Sequence, residues 1–355
     1  MKNIQDNIQT IQQAIQAQNR FKWADILKGI AIILVVLFHA INANQQLFEH
    51  DKFSQVYSFI SEFISNIHVP IFFFVAGIFI HKAAEKPLSK SLSSKSKSLL
   101  YPYVIWSIIL GALYVTISKI HFLSKAMSNH LTIKEFLQFP IEPITILWFL
   151  YALFFITCIY LVLNKYLKFS YIFLLAVLLA VIPGANFLVY SAWHFSVKIA
   201  QFFVYFAFGI LFYRLNKDFS YKINKFLFVL VLLNFVVLNT LMTTMTNNSD
   251  SAYIFSCLNL TKLVGTFSGL VALYYIAEWL QDKDKILGYI GRYSLYIYLM
   301  HPLFVVFIRF VLKKVAVFNH VLPLIILPTV LSIVLSIVSY KIIEKAKLNN
   351  LLFGR

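Results

Sequence analysis

Three histidines and a few lysines interrupt runs of this chain that are otherwise apolar, and their types and spacing carry the chemistry. In "WADILKGIAIILVVLFHA" the polar members are Asp25, Lys28 and His39. Lys28 and His39 stand eleven residues apart. At about 100° per residue that is close to three full turns, so both point to one side of a helix, roughly 16 Å apart along its axis. Asp25 is placed to pair with Lys28 one turn away. One stripe thus offers a cation near one end and an imidazole near the other.

His68 in "NIHVPIFFFVAGIFI" and His301 in "GRYSLYIYLMHP" fall at a depth similar to His39 when each segment is laid across a bilayer, and Lys262 falls near that level too. A single histidine inside a membrane can be no more than an interhelical hydrogen-bonding group worth about 1 kcal/mol. Three at one depth, joined by a lysine, predict a polar cavity there. A neutral imidazole can take a proton from a hydroxyl and return it, because its pKa lies near neutrality. Glu62, a turn and a half before His68, is placed either to orient one of the rings or to stay a solvated carboxylate at the interface.

Two further signals flank this layer. The segment "KAAEKPLSKSLSSKSKSLLYPY" sets Lys95 and Lys97 before Tyr101, either as a grip for phosphates of a cofactor or lipid head group or as a positive loop that fixes topology. Trp148 in "ILWFLYALFF" is either an interfacial anchor or an aromatic face for a sugar ring.

The elements that must hold these groups are membrane helices. The chain has 355 residues, 60% hydrophobic and only 13% charged, where ordinary soluble domains carry roughly 25% charge. Runs of about 20 apolar residues place spans near 24–43, 57–80, 99–118, 144–164, 169–187, 197–213, 225–243, 253–279, 286–311 and 321–343. The fold class is therefore all-α, a polytopic membrane protein of about ten transmembrane helices. With the N-terminus inside, inner segments hold 20 Lys and Arg and outer loops 6, which predicts both termini on the cytoplasmic side. The formal charge of +17 is spread over short loops rather than one continuous face, so no nucleic-acid partner is expected. Cys158 and Cys257 lie in separate apolar stretches and read as core residues without metal spacing; no metal site is expected. Residues 1–20 form a polar, Gln-rich tail whose Ile4, Ile8, Ile11 and Ile15 fit a surface helix, a weak oligomer contact or a frayed tail. The membrane domain is expected over 21–346, with 347–355 a short tail.

Taken in order, "DILKGIAIILVVLFH", "HVPIFFFVAG", the basic run before "LLYPY", "LWFL" and "GRYSLYIYLMHP" resemble the membrane-bound acyltransferase-3 family, in particular its fucose 4-O-acetylase-like sugar O-acetyltransferase branch. The resemblance covers nearly the whole chain. It implies transfer of an acyl group, usually acetyl from acetyl-CoA as donor substrate with no resident cofactor, to a hydroxyl of a surface glycan or its lipid-linked precursor in a bacterial inner membrane. It also implies that His39 is catalytic, as general base or acyl carrier, and that Lys28, Lys95 and Lys97, with Tyr101 beside them, hold the coenzyme. Many relatives carry Arg at the basic positions; Lys lacks the bidentate fork. Within that scheme His68, Ser294 and His301 are expected to orient substrates or stabilise the oxyanion, and Trp148, Glu62 and Lys262 to meet the acceptor. The expected partners are membrane lipid, acyl-CoA, the glycan and a second copy of the chain. Ten helices around a polar cavity also fit a transporter or flippase of glycan or lipid-linked sugar, or a sensor that binds a ligand without chemistry.

Overall fold

The computed structural model describes residues 21–44, 53–119, 131–182, 195–216, 224–245, 252–314 and 321–354. The tail 1–20 and the side chain of Cys257 lie outside the described residues. In chain order the helices are α1 (Lys22–Asn42), α2 (Ser54–Ser65), α3 (His68–Ile78), α4 (His81–Ala84), α5 (Leu88–Lys95), α6 (Tyr101–Lys119), α7 (Ile133–Leu137), α8 (Trp148–Tyr166), α9 (Phe169–Val181), α10 (Ser196–Leu215), α11 (Lys225–Met245), α12 (Ala252–Leu280), α13 (Ile286–Arg292), α14 (Ser294–Lys314), α15 (Val321–Lys345) and α16 (Asn349–Phe353). Among the described residues nine helical stretches are long and apolar enough to cross a membrane, and α9 is a shorter apolar helix at the place of the expected fifth span.

Helix α1 is the hub, packed against α3, α12, α13, α14 and α15. A helix that carries Asp25, Lys28 and His39 cannot face hydrocarbon cheaply, so it takes the centre of the bundle. The most apolar stretch of α1 is 61% buried, against 22% for α11. The outer helices instead present Leu230, Leu233 and Val237 of α11 and Ile326, Val330 and Val334 of α15 as exposed apolar surface, the faces that lipid solvates.

Close helix crossings are made by glycine. A Cβ on Gly29 would strike the Leu287 carbonyl, and one on Gly291 would strike the Asp25 carbonyl, so α1 and α13 meet backbone to backbone. Gly77 and Gly209 do the same for α3 and α10. In lipid, where apolar side chains gain nothing by leaving solvent, this close van der Waals approach is a main source of association.

Two expected spans are not single rods. The 57–80 segment breaks at Asn66 and Ile67 between α2 and α3, and the 286–311 segment turns at Tyr293 between α13 and α14. The first break has a definable cause. Pro70 has no N–H, so the Asn66 carbonyl loses its helical donor. The Thr266 hydroxyl of α12 donates to it instead at 3.2 Å, and the Asn66 amide donates to Asn239 of α11 at 2.6 Å. Asn239 in turn donates to the Phe63 carbonyl at 3.2 Å. Pro328 in α15 likewise frees the Leu324 carbonyl, and the fully buried Asn44 donates to it at 2.9 Å. The basic segment expected as a loop is helical too: α5 starts after Pro87, widens into a π turn at Ser96–Leu100 just ahead of Pro102, and runs on as α6.

The end of the bundle near Asp25 is tied by aromatic rings. Tyr296 stacks on Tyr340 at 3.6 Å between centroids, and Phe353 of α16, fully buried, sits 4.7 Å from Tyr296 and 5.8 Å from Trp106. The expected C-terminal tail is thus docked on the bundle.

Gly291→Val should detach α13 from α1 and lower stability by about 2 kcal/mol or more, read as a fall in the melting temperature of detergent-solubilised protein; an unchanged melt would refute the backbone contact. Thr266→Val should cost about 1 kcal/mol, and less in a Pro70→Ala background, where an N–H again reaches Asn66. Equal costs in both backgrounds would show that Thr266 does not serve the proline-freed carbonyl.

Candidate active site

The three histidines meet. The His39 ring, in the last turn of α1, lies 5.2 Å from that of His301 on α14. Phe38, the neighbour of His39, stacks on His68 at 4.8 Å. His68 is the first residue of α3, set there by the break that Pro70 produces.

Hydrogen bonds fix two of the tautomers. Nδ1 of His68 lies 2.7 Å from the Ile64 carbonyl, and Nδ1 of His301 lies 2.9 Å from the Ile297 carbonyl. A carbonyl only accepts, so each Nδ1 carries the proton and each neutral ring keeps its lone pair on Nε2. Pro302 adds to this at His301, since it frees the Tyr298 carbonyl beside the same Nδ1. Nε2 of His301 is buried and has no partner among the described residues. In neutral form, then, both rings can accept a proton or hydrogen bond but cannot donate one from Nε2. Of the two roles expected of these rings, orienting a substrate group is the one a neutral ring with its lone pair on Nε2 can fill by accepting a hydrogen bond. Among the described residues no three His, Cys, Asp or Glu side chains are placed to hold one metal ion.

At the opposite end of α1, Lys28 pairs with Asp25 at 2.7 Å, as the spacing predicts, with the carboxylate buried and the ammonium half-buried. Lys95 closes α5, half-buried, and Lys97 is exposed on the π turn. A π turn beside charged residues is a frequent mark of a functional site. The Tyr101 hydroxyl donates to the Leu351 carbonyl at 2.9 Å, and Trp106 donates to that of Leu352 at 3.1 Å. Tyr101 therefore anchors α16 next to the two lysines.

On the histidine side, Trp148 opens α8 and packs against Phe202 at 5.2 Å, with the Lys198 ammonium 5.4 Å from its ring. A cavity of about 120 Å³ adjoins Phe202, lined by Ser65, Asn66, Gln201, Tyr205, Asn259 and Lys262 among others. Trp148 and Lys262 are thus brought to one neighbourhood, against the break that carries His68. Glu62 is not: it is exposed on α2, and the His68 ring bonds Ile64 instead. Ser294 is not either. It is buried at the start of α14, seven residues before His301, or about 10 Å toward the lysine end.

Several polar groups were missed from sequence. Arg309 is buried on α14 and donates to Asn44 at 3.0 Å; a charge inside an apolar run was its signal. Lys198 gave the same signal near the start of its helix. Asn66, Asn239 and Thr266 gave none, because neutral polar residues are common in membrane helices.

No curated protein and no solved structure matches this chain. A family profile described as an acyltransferase domain matches residues 21–341, a range that takes in α1, every histidine of the layer and both lysine segments. A helical membrane bundle in which His39, His68 and His301 gather on one side, and which is matched over nearly its full length in this way, belongs to the acyltransferase-3 family and is a membrane acyltransferase.

Proposed function

We propose that the protein is an O-acetyltransferase moving an acetyl group from cytoplasmic acetyl-CoA to a hydroxyl of a cell-surface glycan or its lipid-linked precursor, with His39 as general base. The observation that carries this reading is the approach of the His39 and His301 rings, 5.2 Å between centroids, with Nε2 of His301 buried and without a partner among the described residues. An N–H of His39 directed at that nitrogen leaves the other nitrogen of His39 as a base, the arrangement in which one group orients the next. Such hydrogen bonds often tighten only when substrate binds.

In the direct route His39 takes the proton of the acceptor hydroxyl as that oxygen attacks the thioester carbonyl. The C–S bond breaks, and the imidazolium returns the proton to the departing thiolate. An acetyl ester and the free thiol of the coenzyme result. His68 fixes the flank through its stack on Phe38. Lys95, Lys97 and Lys28 hold the coenzyme's phosphates at the far end of α1, and the pantetheine arm spans the roughly 16 Å to His39. The Asp25 pair offsets part of the charge on Lys28, so most of the phosphate attraction falls to Lys95 and Lys97.

His39→Ala should lower acetyl transfer about 10²-fold or more in reconstituted protein while its melting curve stays in place; retained activity would remove His39 from the mechanism. Movement of unmodified glycan across vesicles without ester formation would point to transport instead. Lys95→Gln with Lys97→Gln should raise KM for acetyl-CoA about tenfold with kcat unchanged, the loss of about 1.4 kcal/mol of uniform binding. S-acetylpantetheine lacks the nucleotide phosphates and should be used equally by both proteins. Equal loss with both donors would show that the lysines act elsewhere.

A further inference from the structure

We infer that the recess between the α2–α3 break, α10 and α12 is the acceptor pocket, and that Lys198 and Lys262 fit it to an anionic sugar, one bearing a carboxylate or phosphate. This rests on the acyltransferase reading in treating the sugar as an acceptor, and deepens it by naming the substrate's charge.

Lys262 lines the recess and is half-buried, and Lys198 is near enough to repel it. Among the described residues neither lysine is paired with a carboxylate, whereas Lys22 and Lys28 both are. Lys198 itself is exposed, its ammonium over the Trp148 ring that packs on Phe202 of the recess wall. Two ammonium groups near one recess raise each other's energy, more so where protein and lipid exclude water, and an oxyanion between them reverses the sign of that interaction. The rest of the wall suits a sugar. Asn66, Gln201, Asn259 and Tyr205 supply amide and hydroxyl groups, and Phe202, which lines the recess, packs on Trp148 just behind it. A volume of about 120 Å³ holds several groups the size of water, at ~30 Å³ each. That fits the charged part of a ring and leaves the bulky nucleotide of the coenzyme outside.

The position fits the chemistry as well. Lys262 stands one turn from Thr266, whose hydroxyl bonds the Asn66 carbonyl, and His68 begins α3 two residues after Asn66. An anion held at Lys262 therefore sets its sugar against the helix break that also carries the histidine layer.

The test uses the full chain in nanodiscs of phosphatidylcholine and measures binding of methyl glucuronide, glucose 1-phosphate and neutral methyl glucoside by equilibrium dialysis. The expected result is at least tenfold tighter binding of one or both anionic sugars, weakened by salt. Comparing them tells carboxylate from phosphate. Lys198→Gln with Lys262→Gln should abolish the preference, and Lys198→Arg with Lys262→Arg should keep it, which separates loss of charge from loss of fold. Equal binding of all three sugars, or a preference that survives the Gln pair, would overturn the proposal. So would displacement of methyl glucuronide by nanodiscs containing phosphatidylglycerol but not by inorganic phosphate, since a lipid head group would then be the occupant. His39→Ala should bind the anionic sugars as before, so failure of the catalytic reading and failure of this one give different results.

Discussion

A carbonyl that loses its helical donor inside a bilayer has no water to turn to, and much of this structure follows from how such carbonyls are satisfied. Pro70 and Pro328 each free one, and each is met by a side chain from another helix: Thr266 for Asn66, Asn44 for Leu324. These bonds bind α2–α3 to α12 and α1 to α15. Arg309 then donates to Asn44, which brings α14 into the same network. Irregular backbone is tolerated only where protein buries it, so the breaks fall in the interior. That is also where a polar site must be built.

The same constraint sorts the helices. Helix α1 carries the ionisable stripe and occupies the centre, with glycine contacts letting α13 approach its backbone. Fixing α1 there fixes the separation of its two functional ends, because Lys28 and His39 are held on one rigid rod. The lysine end is packed by tyrosines and by docked α16, and the recess beside α10 and α12 lies against the break that His68 follows. A helical rod is a stiff ruler: it keeps Lys28 and His39 at a separation set by sequence spacing alone, the span that the proposed mechanism asks the coenzyme's arm to cover.

What could be read from the sequence was what repeats along one helix. The pairing of Asp25 with Lys28 needs only a three-residue step, and it is present. The common level of His39, His68 and His301 follows from counting residues inward from the span ends, and their rings do gather. The break at Asn66 was harder to foresee, since Pro70 marks an interruption but Thr266, almost two hundred residues on, decides how it is repaired. Glu62 shows the limit of counting: it lies a turn and a half before His68, yet the helix turns it outward and the Ile64 carbonyl takes the ring proton. Ser294 shares a motif with His301 but stands two turns from it. The cavity at Lys262 joins residues from four separated segments, and no local pattern encodes that.

The carbonyl bonds to His68 and His301 also limit the chemistry. Each holds a proton on Nδ1 and presents a lone pair from Nε2. Two such rings beside His39 make a strongly accepting environment, and an imidazolium at His39 gains from it only by directing an N–H at one of those lone pairs. His301 is the better placed, because its Nε2 is buried without a partner among the described residues and its ring lies 5.2 Å from that of His39. Under the proposed mechanism, charge created on His39 as an alcohol loses its proton would be met by that lone pair once the two rings close to hydrogen-bond distance. The orientation of that acceptor traces back to Pro302, which leaves the Tyr298 carbonyl free beside Nδ1 and so reinforces the tautomer. A proline that interrupts the helix ladder thus helps to decide which nitrogen of the preceding residue keeps its lone pair.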